Sequence, residues 1–211
     1  TGGFTVNNPV PTLVSLSVAS GFRGRTMSLQ VNGTNFVAGV TTLSMGAGIM
    51  VITATVSSPS QLSASITIAW EAALGFRDVT VTNPSPGGGS AVLPNAFVIQ
   101  NPPPTLTNVI PASGTPGQKL GVTLMGSDFL DGVSTVSFGS GVAVNSATVN
   151  SAGTHITASI TIAPEATPGP RNVIVTNPGA PGATMTGAFS ITSPAPTVTS
   201  IVPPTGPLGL M

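Results

Sequence analysis

Between residues 61 and 68 the chain reads Gln-Leu-Ser-Ala-Ser-Ile-Thr-Ile, apolar at every even position and mostly polar at the odd ones. A period of two belongs to a strand with one buried face, so Leu62, Ala64, Ile66 and Ile68 are expected to point into a core. The same alternation puts Met27, Leu29 and Val31 on one face of "TMSLQVNG", and Val79 and Val81 on one face of "DVTVTN". It returns in "KLGVTLMG" with Leu120, Val122 and Leu124. No stretch carries a helical period. Strands are predicted near 12–18, 26–32, 40–45, 48–56, 61–68, 76–83 and 90–99. Half-apolar strands of this kind form antiparallel sheets with one face in water.

The pattern is written twice. "NPVPTLVSLSVASG" at 8–21 returns as "NPPPTLTNVIPASG" at 101–114 and as "SPAPTVTSIVPPTG" at 193–206, a period of 92 to 93 residues. "ASITIAWEAALGFRDVTVTNP" at 64–84 lies on "ASITIAPEATPGPRNVIVTNP" at 158–178. Over the full unit roughly two in five aligned residues are identical, the mark of a duplicated structural unit. Residues 1–9 match 95–102 and 187–194, so they read as the last strand of a preceding repeat. Two whole repeats follow, at 10–101 and 102–194, and 195–211 reads as the first strand of a following one. The chain is therefore expected to be a piece of a longer array. The fold class is all-β: two immunoglobulin-like sandwiches in tandem.

Pro-Thr-Leu at 104–106, Pro-Ala-Ser-Gly at 111–114, Gly117 and "GSDF" at 126–129 resemble the opening of IPT/TIG domains, the E-set type of immunoglobulin-like fold. Repeat 1 offers "VASG" at 18–21 and "GTNF" at 33–36. "PGPRNVIVTNP" and "GAFSI" resemble the final strands of bacterial members. The resemblance implies a sandwich found in receptor ectodomains, transcription factors, starch-acting enzymes and prokaryotic surface proteins. Its motif residues read as structural ones. Gly33 and Gly126 are expected to end strands at positive φ, with Phe36 and Phe129 plugging the core. Asn83-Pro84 and Asn177-Pro178 stop strands, because proline donates nothing to a ladder. The hinge prolines favour an extended, stiff path, suited to a spaced array.

Composition narrows the function. Charged residues make up 5% of the chain, against about 25% in ordinary soluble domains, beside 26 Gly and 21 Pro. The net charge is zero and the cations are scattered, which removes the electrostatic footprint of a nucleic-acid binder. Zero charge also removes repulsion between copies, which eases self-association. No apolar run reaches the length of a membrane helix, so no direct membrane insertion is expected. Cysteine is absent, and with it any disulfide framework or thiolate metal site.

The chemical inventory is thin: one His, no Cys, no Tyr and five carboxylates. Asp128 and Asp131 are the one close carboxylate pair, expected to cap a turn, and the weak metal candidates. Repeat 1 has Asn35 and Ala38 in their places, and calcium wants six or more oxygens. Glu71 with Arg77, and Glu165 with Arg171, recur at one spacing and are expected to brace a loop as ion pairs. Trp70, which stands where repeat 2 has Pro164, could stack on a sugar or anchor an interface. "GFRGRT", with Phe22, Arg23 and Arg25, is a candidate contact patch. His155 reads as a turn residue, and Asn32-Gly33-Thr34 fits a glycosylation sequon.

These residues predict no enzyme, no catalytic residue and no cofactor. The expected function is a structural extracellular repeat protein, a shaft, stalk, filament subunit or adhesin of a prokaryotic surface. Its expected partner is itself, through neighbouring repeats or terminal strands. The alternative is an accessory module that binds surface glycans or another partner.

Overall fold

Leu62, Ala64, Ile66 and Ile68 are all buried, and their Ser and Thr neighbours face outward, as the alternation requires. The computed structural model describes residues 3–193 and 196–200, so most of the expected following-repeat strand at 195–211 lies outside the described residues. Contacts divide the chain into two units. One holds the residues up to Pro102 together with Pro178–Ala180. The other holds Pro103–Asn177 and the residues from Pro181 on.

The first unit is built from β1 (Thr12–Leu16), β2 (Ser20–Phe22), β3 (Thr26–Thr34), β4 (Thr42–Ser44), β5 (Ile49–Ser58), β6 (Gln61–Ile68), β7 (Gly75–Asn83) and β8 (Gly89–Gln100). One sheet runs β1-β3-β6-β5 and the other β2-β8-β7-β4. This is an immunoglobulin-like sandwich, with sequence-distant strands side by side in each sheet. Leu29, Val31, Leu62 and Ile66 from one sheet meet Val79, Val81, Phe97 and Ile99 from the other, with Met45 among them.

The second unit repeats this order with β9 (Thr105–Ile110), β10 (Ser113–Gly114), β11 (Lys119–Ser127), β12 (Thr135–Ser137), β13 (Val142–Val149), β14 (His155–Ile162), β15 (Gly169–Thr176) and β16 (Ala183–Ile191). Its sheets are β9-β11-β14-β13 and β10-β16-β15-β12. Phe138 and Phe189 meet edge to face in its core, their ring centroids 5.3 Å apart.

Two expectations need correction. The sheets are not wholly antiparallel, because β2 runs parallel to β8 and β10 parallel to β16. These strands of three and two residues are too short to show alternation. The second concerns glycine. Positive φ falls at Asn35 (60°) and Asp128 (58°), not at Gly33 and Gly126. Gly33 is required by close approach instead. A Cβ there would run into the Thr12 carbonyl oxygen and lie 2.6 Å from Phe36 Cζ. Gly126 stands the same way between Thr105 and Phe129. The glycine lets the edge strand and the aromatic plug close over one spot, and Phe36 and Phe129 are buried as expected.

Candidate functional site

Arg77 and Arg171 do not pair with glutamate. Arg77 Nε donates to the Ala47 carbonyl (2.9 Å), Nη1 to Gly75 and Phe76, and Nη2 to Ala73. Arg171 does the same with Ser140, Gly169, Pro170 and Thr167. The planar fork of five donors suits a ring of carbonyls that would otherwise face water or each other. The β6–β7 and β14–β15 loops are thus latched by arginine to the turn before β5 or β13. Glu71 and Glu165 are exposed and stand apart from the latch.

A second constellation was read in sequence only as a strand stop. Asn83 is 1% exposed. Its Nδ2 donates to the Pro9 and Asn35 carbonyls, both at 2.8 Å. Its Oδ1 accepts from Thr41 Oγ1, which in turn accepts from Val37 N. Asn177, fully buried, repeats this with the Asp128 carbonyl and Ser134. The buried amide supplies two donors and an acceptor in one plane, which a hydroxyl or carboxylate cannot. Only the recurrence of Asn-Pro in both repeats could have pointed to it.

The connector is fastened at the same place. Asn8 N donates to Pro86 O (2.8 Å), Gly88 N to Asn8 O (2.6 Å), and Asn8 Nδ2 to Pro84 O (2.8 Å). With the Asn83–Pro9 bond, four hydrogen bonds hold residues 8 and 9 to the end of β7 and the β7–β8 loop. Ahead of them Phe4 and Val6 lie exposed, whereas their counterparts Phe97 and Ile99 are buried.

The carboxylate pair is divided between two tasks. Asp131 Oδ1 accepts from Val149 N at 3.2 Å. Asp128 sits in the left-handed region and offers its main-chain oxygen to Asn177. Among the described residues no group of three or more His, Cys, Asp or Glu could hold a metal ion. His155 opens β14 with Nδ1 2.9 Å from Thr154 Oγ1, and the turn before it is capped by Asn150, whose Oδ1 accepts from the Thr154 and His155 amides. Asn32 of the sequon lies within β3, its Nδ2 donating to Ser15 Oγ.

The candidate contact patch is partly dismantled and partly enlarged. Arg23 is turned inward, with Nε donating to Ala72 O (2.6 Å) and Nη1 to Asn101 Oδ1 (3.3 Å), while Arg25 is exposed. Trp70 lies across Gly24, whose φ of +70° and missing side chain make room for the ring. Trp70 remains 47% exposed, and Phe22, Leu74 and Phe76 are exposed as well. Their counterparts in the second unit are Pro164, Thr115, Pro168 and Pro170. Elsewhere on this unit, Ser28, Ser63 and Ser65 with Gln30, Thr53 and Thr55 line an uncharged hollow of about 470 Å³ on the outer face of the β1-β3-β6-β5 sheet.

The family model for quinohemoprotein amine dehydrogenase, alpha subunit domain III, matches residues 103–180, less than half of the chain. No curated protein matches. Among solved structures the chain is similar to SGBP-B from a complex xyloglucan utilization locus in Bacteroides uniformis, at 22% identity and a TM-score of 0.34, covering 87% of this chain and 50% of that one. The Yersinia pseudotuberculosis adhesin InvE matches at 14% identity and a TM-score of 0.46, covering 86% of this chain and 58% of that one. The Escherichia coli adhesin FdeC matches at 18% identity and a TM-score of 0.32, covering 87% of this chain and 63% of that one. The chain thus spans between half and two thirds of the length of these structures. Tandem titin domains match as well. The sandwich fold itself rests on the strand order above.

Proposed function

We propose that the chain is a structural, non-catalytic segment of an extracellular repeat protein, built from IPT/TIG-type sandwiches. It serves as the shaft or stalk of a prokaryotic cell surface, or as a subunit of a surface filament or adhesin, and its main partner is itself. The observation that carries this reading is the joint at Asn8 and Asn83. A tether that only links domains needs no bonds to either, whereas here four hydrogen bonds fix the direction in which residues 8 and 9 meet the first unit. The arginine latches and asparagine hubs add to this. Most of the chain's polar machinery outside the strands fastens loops, and no buried side-chain polar atom among the described residues lacks a partner. Phe4 and Val6, exposed and outside any strand, suit addition to a sheet of a neighbour. Electron microscopy of the purified native protein tests the reading. Extended particles or filaments are expected, and uniform single particles at high concentration would count against it.

A second reading, an accessory module that binds carbohydrate or another partner, is favoured by the exposed Trp70 and Phe76 of the first unit. Aromatic faces of this kind stack on sugar rings. A glycan array probed with the native chain and with Trp70→Ala separates the two. A signal lost in the variant supports binding, and no signal from the native chain removes this reading.

A further inference from the structure

The two units differ at one edge. β5 and β13 are the outermost strands of equivalent sheets, each paired on one side only. An edge strand presents a row of open backbone donors and acceptors, and proteins blunt such rows with charge, proline or bulges. β13 is blunted by charge. Asp131 reaches from the β11–β12 loop and takes the outward-pointing amide of Val149. The first unit has Ala38 at the position of Asp131 and Val56 at that of Val149. A methyl group accepts no hydrogen bond and carries no charge, so β5 has no counterpart of this guard.

The rest of β5 agrees. Its ten residues, Ile49–Ser58, contain no charged residue and no proline, as the eight of β13 contain none, so the charge of Asp131 is what sets the two edges apart. Met50 and Ile52 are 62% and 50% exposed, where β13 carries Ala143 and Asn145. Beside the strand, Ala38, Gly39, Val40, Thr41 and Thr42 face Ala54, Thr55 and Val56 across a hollow of about 310 Å³.

We infer that the β5 edge is a self-pairing surface, and that it takes the β5 edge of a second copy of this chain laid antiparallel to it. An open strand edge asks for an extended backbone, and an antiparallel pair of identical strands is complementary to itself about a two-fold axis. Charge is matched too: the edge has none, and the chain's net formal charge is zero, so like copies meet without repulsion. This deepens the self-association in the reading above by giving it a lateral surface, distinct from end-to-end strand addition. The bulges at Val51/Thr53 and Val56/Ser58 confine the pairing to the stretch between them.

Sedimentation velocity of the whole chain, from micromolar to millimolar concentration, tests the inference. The native chain is expected to pass from monomer to dimer. Ala38→Asp rebuilds the guard on an exposed loop residue, and Ile52→Lys puts a charge on the edge. Each is expected to weaken dimerisation at least about tenfold, since each brings a charge to an edge that has to shed its water on pairing. Asp131→Ala removes the guard from β13 and is expected to strengthen association. Hydrogen exchange at the Val56 amide should slow as the native dimer forms and stay fast in Ala38→Asp. A native chain that remains monomeric throughout overturns the inference, as does a dimer indifferent to both repeat-1 variants. Filaments seen by microscopy with no β5-dependent dimer would leave the array reading standing and remove this surface alone.

Discussion

Thr41 Oγ1 donates to Asn83 Oδ1 over 2.6 Å in the first unit, and Ser134 Oγ donates to Asn177 Oδ1 over 2.5 Å in the second. Two different hydroxyl residues do one job at the same place. The amide is the fixed part of the hub, and the hydroxyl is held by what the amide needs. Asn83→Ala would strip partners from two carbonyls and a buried hydroxyl. It is expected to cost about 3 kcal/mol, as two or three buried groups lose their partners. Differential scanning calorimetry of the whole chain checks this. The first unit's transition should fall while the second unit's holds, and Asn177→Ala should reverse the pattern.

Replacing Arg77 by lysine keeps the charge and loses the fork. The loss is expected to be about 1–2 kcal/mol, because a single ammonium cannot reach carbonyls on both sides of the loop. Glu71→Ala should change stability by less than about 0.5 kcal/mol, as surface substitutions do. Denaturant melts at low and high salt distinguish this from an ion-pair brace. A Glu71 effect that disappears in salt would argue for the brace and against the latch.

Gly33→Ala forces a methyl group into Thr12 and Phe36 and is expected to destabilise the first unit by about 1–3 kcal/mol through overpacking. Asn35→Gly relieves a residue at φ 60° but removes the bond from Nδ2 to Val10 O, and should come out near neutral. The reverse order of the two effects in chemical melts would return the glycine requirement to backbone conformation.

Trp70 is the chain's one tryptophan, so its fluorescence reports on the first unit alone. Gly24→Ala would place a methyl group in the indole ring and push it toward water. A red-shifted emission is expected, with the fold retained by circular dichroism. An unchanged spectrum would show that the ring does not rest on Gly24.

The long strands were legible because they have a dry face and a wet one. β3, β6 and β7, and with them β11, β14 and β15, carry enough residues for alternation to show, and the duplication made each reading twice. β2 and β10 were not legible, since three residues and two residues carry no period. The arginines stood out by recurrence, yet their partners were misassigned. A glutamate at fixed spacing is visible in sequence, while a main-chain carbonyl leaves no mark there. Asn83 and Asn177 were seen as strand stops because each precedes a proline. Their burial comes from loops that fold over them from 35–41 and 128–134, a relation that residue order alone does not express. Asp131 is legible as a carboxylate that caps something local, but the amide of Val149 that it accepts from lies 18 residues on and leaves no mark beside it in the chain.

The parallel pairing of Ser20–Phe22 with Val98–Gln100 bears on how the first sandwich answers a pull. When tension enters near the start of a domain and leaves through its last strand, these two strands are drawn in opposite directions along their lengths. Their bonds are then loaded together in shear rather than peeled one after another. Once β1 has been drawn off β3, a patch of only three residues carries the load, and toughness under stretching comes to rest on a small part of the domain.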